Sequence, residues 1–297
     1  MDVSIAQLSQ RGGRSNNEDR CGHSKTEEAV LLVLADGMGG HPDGEVAADI
    51  AVRTSIDMFQ QMATPVVLDP TEFLTMALRS AHYKIIRHSV GSNHKDNLDI
   101  PRTTAVACVV QQNKIWWAHC GDSRLYLVRD GKIEFCTVDH SYAKGGHNLK
   151  ESLDSLNISR SMLYTCLGSN SLPKIQVSGP FELNLGDRVM LCSDGLWSAI
   201  NDSQIAELLS LSSSISLATS FLVETALQAA GKSSDNVTVI GLEWGAEERR
   251  KFLQNQSAVS IDKMDKNALP LTKNVKFDDA IDQSIDEINE LLNRFLD

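Results

Sequence analysis

Apolar residues in this chain fall either into short unbroken runs or into stripes spaced three and four apart, and the two patterns predict most of its elements. Ile5 to Leu8 reads as a short first strand. Ala29 to Ala35 is apolar throughout, as expected of a central strand buried on both faces. Gly44 to Met62 predicts a helix, and a second is expected from Thr71 to Val90 after the breaker Thr64-Pro65. In that second helix Leu74, Ala77, Leu78, Ala81 and Ile85 form one stripe, which predicts one buried face. Thr103 to Gln111 and Lys114 to Cys120 are strands meeting at Gln112-Asn113. Ser123 to Val128 and Lys132 to Thr137 flank Arg129-Asp130-Gly131, a hairpin signal. From Asp139 to about Asn170 the chain turns polar and rich in Ser, Asn and Gly, which predicts a surface loop or flap. Arg188 to Ser193 resumes strand character, Asp202 to Leu211 and Leu217 to Ala230 read as helices, and Asn236 to Trp244 reads as a closing strand. No internal repeat is visible. Strands early and late, with helix pairs between and after, predict an α+β sandwich: two mostly antiparallel sheets flanked by helices.

Beyond Trp244 the composition shifts to charged and amide-rich residues. The expected organisation is a folded domain over 1–244, a polar linker over 245–275 and a C-terminal amphipathic helix over 276–297. In that helix Ile281, Ile285, Ile288, Leu292 and Phe295 alternate steps of four and three, an a/d seam. Fewer than three heptads is short for a coiled coil that stands alone. Residues 277–296 are therefore expected either to dock on the parent domain or to pair with a partner helix, in a homo-oligomer or with another protein.

Composition removes several classes of function. With 42% hydrophobic and 23% charged residues in 297, the chain is an ordinary globular protein. A net charge of −11 argues against nonspecific attraction to nucleic acid or to an anionic membrane, both of which need basic patches. Taken alone, that acidity says no more than that the chain is soluble. Six cysteines without a C-x-x-C pair read as reduced core thiols. The opening Met1-Asp2-Val3-Ser4-Ile5 lacks the basic and apolar regions of a signal peptide, and no apolar run approaches the ~20 residues of a membrane span. A cytoplasmic location is expected.

Chemistry is suggested by where the aspartates stand. Three apolar runs end on aspartate beside glycine, at Asp36-Gly37, Gly121-Asp122 and Asp194-Gly195, and Asp235 directly precedes the run Asn236 to Ile240. If these strands lie side by side, the carboxylates collect at one sheet edge, where unit charges ~4 Å apart repel by about 4 kcal/mol at an effective dielectric near 20. A divalent cation would relieve that repulsion, and hard oxygen ligands without an organised Cys or His set favour Mg²⁺ or Mn²⁺ over zinc. Four unrelated turn aspartates would leave the same trace. The loop Gly37 to Glu45 also occupies a strand–helix junction typical of nucleotide sites. Pro42 breaks the dinucleotide fingerprint, however, and Glu45-Val46 replaces the lysine and hydroxyl residue of a phosphate loop. Arg14, four residues before the carboxylates Glu18 and Asp19, is either a phosphate clamp or a surface ion-pair partner.

Six motifs in order carry a resemblance: Arg14-x-x-Asn17-Glu18-Asp19, Asp36-Gly37-Met38-Gly39-Gly40-His41-x-x-Gly44-Glu45, Thr103-Thr104-Ala105, Gly121-Asp122-Ser123-Arg124-Leu125-Tyr126, Ser193-Asp194-Gly195-Leu196 and Asp235-Asn236-Val237-Thr238. The series resembles that of the metal-dependent protein serine/threonine phosphatases, the PPM or type 2C family, and is most similar to its bacterial members over about residues 1 to 244. The resemblance implies hydrolysis of phosphoserine and phosphothreonine in phosphorylated proteins by water activated between two Mn²⁺ or Mg²⁺ ions. It assigns Asp36 to both ions, the Gly37 carbonyl to one, and Asp194 and Asp235 to the other. Glu18 would hold metal-bound water, Asp19 would orient solvent and Arg14 would grip the phosphate. Two positions depart from the family pattern. Met38 stands where some members carry a histidine acid, so leaving-group protonation would fall to metal-bound water or to His41. Ser198 stands where a third aspartate would join Asp122 and Asp194 around a third ion, so that ion is expected to bind weakly or not at all. A catalytically weak phosphoprotein sensor that recruits partners through its C-terminal helix is the alternative function.

Overall fold

A computed structural model describes residues 1–38, 43–91, 100–141, 162–247 and 249. The expected C-terminal helix over 276–297 and nearly all of the expected linker lie outside the described residues, as does His41. Met1–Ala246 form one compact unit.

The ten strands of that unit are β1 (Val3–Gln10), β2 (Arg20–Lys25), β3 (Ala29–Ala35), β4 (Ala105–Gln111), β5 (Lys114–Cys120), β6 (Arg124–Arg129), β7 (Lys132–Cys136), β8 (Gln176–Glu182), β9 (Arg188–Cys192) and β10 (Val237–Trp244). They build two antiparallel sheets, ordered β2-β3-β4-β5-β8 and β1-β10-β9-β6-β7. Helices α1 (Gly44–Met62) and α2 (Pro70–Gly91) cover the first sheet. A single helical turn α3 (Asp194–Trp197) follows β9, then α4 (Asp202–Leu211) and α5 (Ile215–Ala230), of which α5 packs on β1 and β10.

The unbroken apolar run of β3 has a direct cause. Ala29, Leu31, Val33 and Ala35 pack with Ala47, Ala51, Phe59, Leu74 and Leu78 of the helix pair, while Val30, Leu32 and Leu34 pack with Leu125, Leu191 and Ile240 of the facing sheet. Both faces of the strand are interior, so neither tolerates a polar side chain, and each fully buried leucine is worth about 1.5–3 kcal/mol. The tight hairpins follow from backbone preference. Gln112-Asn113 and Asp130-Gly131 all take positive φ (52°, 57°, 47° and 79°), the geometry a two-residue turn imposes and Asn, Asp and Gly accept most readily.

Register then brings the loops of interest to one pole. Because neighbours run antiparallel, the end of β3 lies beside the start of β2 and β4, with Ala35 opposite Arg20 and Leu34 opposite Val106. The end of β9 lies beside the starts of β6 and β10, with Cys192 opposite both Arg124 and Val239, and Gln10 at the end of β1 faces Val237. The residues just outside these termini (Arg14, Glu18, Asp19, Asp36, Asp122, Asp194 and Asp235) are thereby delivered to the same end. One expectation needs correction: the carboxylates do not share a single sheet edge. Asp36 follows a strand of one sheet, Asp194 and Asp235 border strands of the other, and Asp122 lies on the crossing from β5 to β6, so they meet at the mouth between two sheets.

Candidate active site

At that mouth lies a cleft of about 600 Å³ whose lining includes Arg14, Glu18, Asp36, Gly37, Asp122, Asp194 and Asp235. Short bonds hold each in place. The backbone of Asp36 is clasped by two threonines before β4: its N–H donates to Thr104 Oγ1 (3.2 Å), while its carbonyl accepts from Thr104 N (2.9 Å) and Thr103 Oγ1 (2.8 Å). Asn236 ties the loop after β1 to the start of β10, donating through Nδ2 to the carbonyls of Arg11 and Asn16 (2.8 Å each) and accepting at Oδ1 from Glu18 N (2.8 Å). Gly37 and Gly44 touch nearly back to back: a Cβ on Gly37 would sit 2.5 Å from Gly44 backbone, and one on Gly44 would sit 2.3 Å from Glu18 Oε2. Any larger residue at either position would push the first turn of α1 and the Glu18 carboxylate apart.

Asp19 stands apart from the lining residues. It is 2% exposed and sits behind them, with Oδ2 accepting from Ser193 Oγ at 2.7 Å. Its Oδ1, like Glu18 Oε2, is buried without a hydrogen-bond partner. Arg14 donates through Nη2 to Asp235 Oδ2 at 2.6 Å. Among the described residues no three His, Cys, Asp or Glu side chains stand posed around one ion, and Asp235 is turned toward the guanidinium.

The electrostatics record crowding of like charge. Burial first, then Asp19, Asp194, Asp122 and Asp235, push the Asp36 carboxyl well above its ordinary range. Burial followed by neighbouring carboxylates raises Asp19 and Asp122 to about 7, and burial followed by Asp235 raises Asp194 to about 6, with a hydrogen bond from Asp36 opposing that rise. Glu18 is raised by burial and then by Glu45. Carboxyls desolvated and pressed against one another ionise only at a cost, which a cation removes. All-oxygen donors, orphaned buried oxygens and mutual repulsion together fit a hard divalent cation.

Comparison with known proteins decides the affiliation. The family model for Protein phosphatase 2C matches residues 7–230. The chain belongs to the protein phosphatase 2C family. Membership makes it a protein phosphatase. It is 29% identical over 240 residues to the serine/threonine phosphatase stp of Listeria monocytogenes, covering 77% of this chain and 91% of that one. It is 32% identical over 232 residues to the serine/threonine protein phosphatase PstP of Mycobacterium tuberculosis, covering 76% of this chain and 42% of the relative. The catalytic domain of PstP in complex with 2 manganese ions superposes with a TM-score of 0.63 at 30% identity, over 81% of this chain and 97% of that domain.

Of the residues expected in the phosphatase site, Arg14, Glu18, Asp36, Gly37, Asp122, Asp194 and Asp235 share the cleft, and Asp19 lies directly behind them. Ser198 is exposed and does not line it. Nothing in the sequence pointed to Arg102, and Ser193 and Asn236 stood in the motif series without a role of their own. Asn236 and Ser193 adjoin Asp235 and Asp194, and their short polar side chains at otherwise apolar strand ends were the available signal.

Proposed function

We propose that this phosphatase hydrolyses phosphoserine and phosphothreonine in protein substrates with the help of two Mn²⁺ or Mg²⁺ ions. The observation that carries the reading is the convergence of five carboxylates and the forked cation Arg14 on a single cleft. Asp36, the Gly37 carbonyl, Asp194 and Asp235 would hold the pair, and Glu18 would contribute through its unpartnered Oε2. When bound, such ions lower the pKa of water between them and neutralise charge on the phosphoryl oxygens.

The protein's own share is positioning. Arg14, 58% exposed at its side chain and tied down at one nitrogen, is placed to bind phosphoryl oxygens bidentately once a cation occupies Asp235. Asp19 offers Oδ1 as the free acceptor that orients solvent, with Ser193 fixing its other oxygen. Asp122 remains for a third ion, which Ser198 would hold poorly. Six free cysteines and a net charge of −11 fit a cytoplasmic enzyme that does not seek nucleic acid or anionic membranes. Residues 245–275 as linker and 276–297 as a docking or pairing helix complete the proposal. The solution mass of the chain with and without 276–297 decides between docking in cis and self-association.

The enzymatic reading is tested by hydrolysis of p-nitrophenyl phosphate. Turnover is expected with Mn²⁺, and neither EDTA-treated protein nor Asp36→Asn should show it. Absence of metal-dependent turnover in the purified wild type would hand the site to the phosphoprotein-sensor reading.

A further inference from the structure

Arg102 lines the same cleft and has no place in the machinery described so far. Its backbone is fixed from both sides. The Arg102 carbonyl accepts from Met38 N at 2.9 Å, the next residue, Thr103, bridges Gly37, and Thr103 also exchanges two backbone bonds with Leu167 (3.2 and 2.9 Å). The side chain thus springs from a junction between the Asp36-Gly37-Met38 turn and the 162–167 segment, with little freedom to drift.

Its chemistry is unspent. Arg102 is half-buried, its Nε is buried without a hydrogen-bond partner, and among the described residues its guanidinium has no carboxylate in ion-pair range. The two arginines of the cleft divide the space between them. Arg14 is bonded to Asp235, and the carboxyls of Glu18 and Asp194 feel its charge, whereas Cys166 feels that of Arg102. The apolar part of the cleft lining, Met38, Met162, Leu163 and Cys166, includes the residue whose N–H bonds the Arg102 carbonyl (Met38) and the thiol that feels its charge (Cys166). A buried donor without a partner carries a desolvation penalty, and a guanidinium forks onto a carboxylate or phosphate. In a chain of net charge −11, a cation in an acidic cleft that, unlike Arg14, is not bonded to a carboxylate among the described residues marks a place where a second anion is not repelled.

We propose that Arg102 is a specificity residue that binds a second anionic group of the substrate, a side-chain carboxylate or a second phosphoryl group close to the phosphoresidue being hydrolysed. The inference rests on the phosphatase reading. It predicts that this enzyme prefers phosphopeptides with an acidic or doubly phosphorylated neighbourhood, and that the preference resides in Arg102 rather than in the reacting phosphate.

The test compares wild type, Arg102→Gln and Arg102→Lys on four substrates: p-nitrophenyl phosphate, a phosphopeptide with neutral flanks, the same peptide with flanking aspartates, and a doubly phosphorylated version. Loss of a charge-assisted fork predicts a fall of about tenfold in kcat/KM for the two anionic peptides in Arg102→Gln. Activity toward p-nitrophenyl phosphate should stay within about twofold of wild type, which also shows that the variant folds. Arg102→Lys should keep part of the preference, because it retains charge without the fork. The aspartate and double-phosphate arms show which anion Arg102 takes. An equal loss on p-nitrophenyl phosphate would place Arg102 on the reacting phosphate and overturn the proposal, as would an unchanged peptide preference. Fluorescence anisotropy of the same labelled peptides on EDTA-treated wild type and Arg102→Gln reads the contact without turnover. Weaker binding of the anionic peptides alone supports the proposal even if hydrolysis fails, and equal binding overturns it.

Discussion

Strands β6 and β9 connect two poles that treat charge in opposite ways. At the pole away from the cleft, Arg129 at the end of β6 forks onto Asp187 just before β9 (2.8 and 2.6 Å), and Arg188 at the start of β9 reaches Glu243 at 3.1 Å. Asp187 also accepts from Asn184 N at 2.8 Å, so its buried carboxylate is well satisfied. At the cleft Asp122 stands just before β6 and Asp194 just after β9, both beside other carboxylates, with Glu18 and Asp19 each keeping an orphaned buried oxygen. One pole balances its charges internally and contributes to stability. Among the described residues the other keeps more carboxylates in its cleft than the two arginines there can answer, and that imbalance is the mark of a functional site.

Substitutions should separate the poles. Asp194→Asn is expected to lower metal-dependent turnover by about a thousandfold, since loss of metal electrostatics costs several kcal/mol of barrier reduction. The melting temperature of the metal-free variant should equal or exceed that of metal-free wild type, because one repelling charge is gone. At the opposite pole Asp187→Ala removes the acceptor of three donors, two on the Arg129 guanidinium and the Asn184 N–H, and should cost roughly 3 kcal/mol of stability in denaturant unfolding. Its turnover per folded molecule should match wild type. A variant of either pole that behaved like the other would erase the contrast.

Much of the arrangement was legible in the chain. The apolar run of β3, the stripe of α2 and the bounds of α1 all follow from burial on known faces. Strands β2 and β8 did not. Arg20–Lys25 is polar and only half-buried at one sheet edge, and its Gly22 fits against Val52 and Ile56 of α1, a reason that appears only once α1 is packed. Gln176–Glu182 is a largely exposed edge strand containing Gly179-Pro180, residues that normally argue against strand. For the site, aspartates at strand ends were visible, but their origin from both sheets depends on pairing order, which local pattern does not encode. Arg102 was hidden for the same reason: only register places the residue before Thr103-Thr104 beside Met38.

The smallest effect is a pH dependence, and it sharpens the contrast because only the cleft should show it. Asp19 and Asp122 are raised to about 7, far above the ordinary aspartate value of 3.8, so the metal-free folded state holds protons that the unfolded chain has released. The stability these groups provide in protonated form is complete below about pH 4 and is lost as pH rises through about 7. His140, lowered to about 4 chiefly by burial, works in the opposite sense but has finished contributing above pH 6.5. Between pH 6.5 and 8 the melting temperature of EDTA-treated protein should therefore fall by a few degrees, and Mn²⁺ should flatten or reverse the slope. A metal-free melting temperature that rises across that window would show that the carboxyls are not crowded as described.

The central claim, that the acidic cleft is built to hold paired divalent ions, is tested most directly by calorimetric titration of Mn²⁺ into metal-free protein. The account predicts two ions bound per chain and loss of that binding in Asp36→Asn. Failure of the wild type to bind Mn²⁺, or binding that Asp36→Asn leaves unchanged, would contradict it.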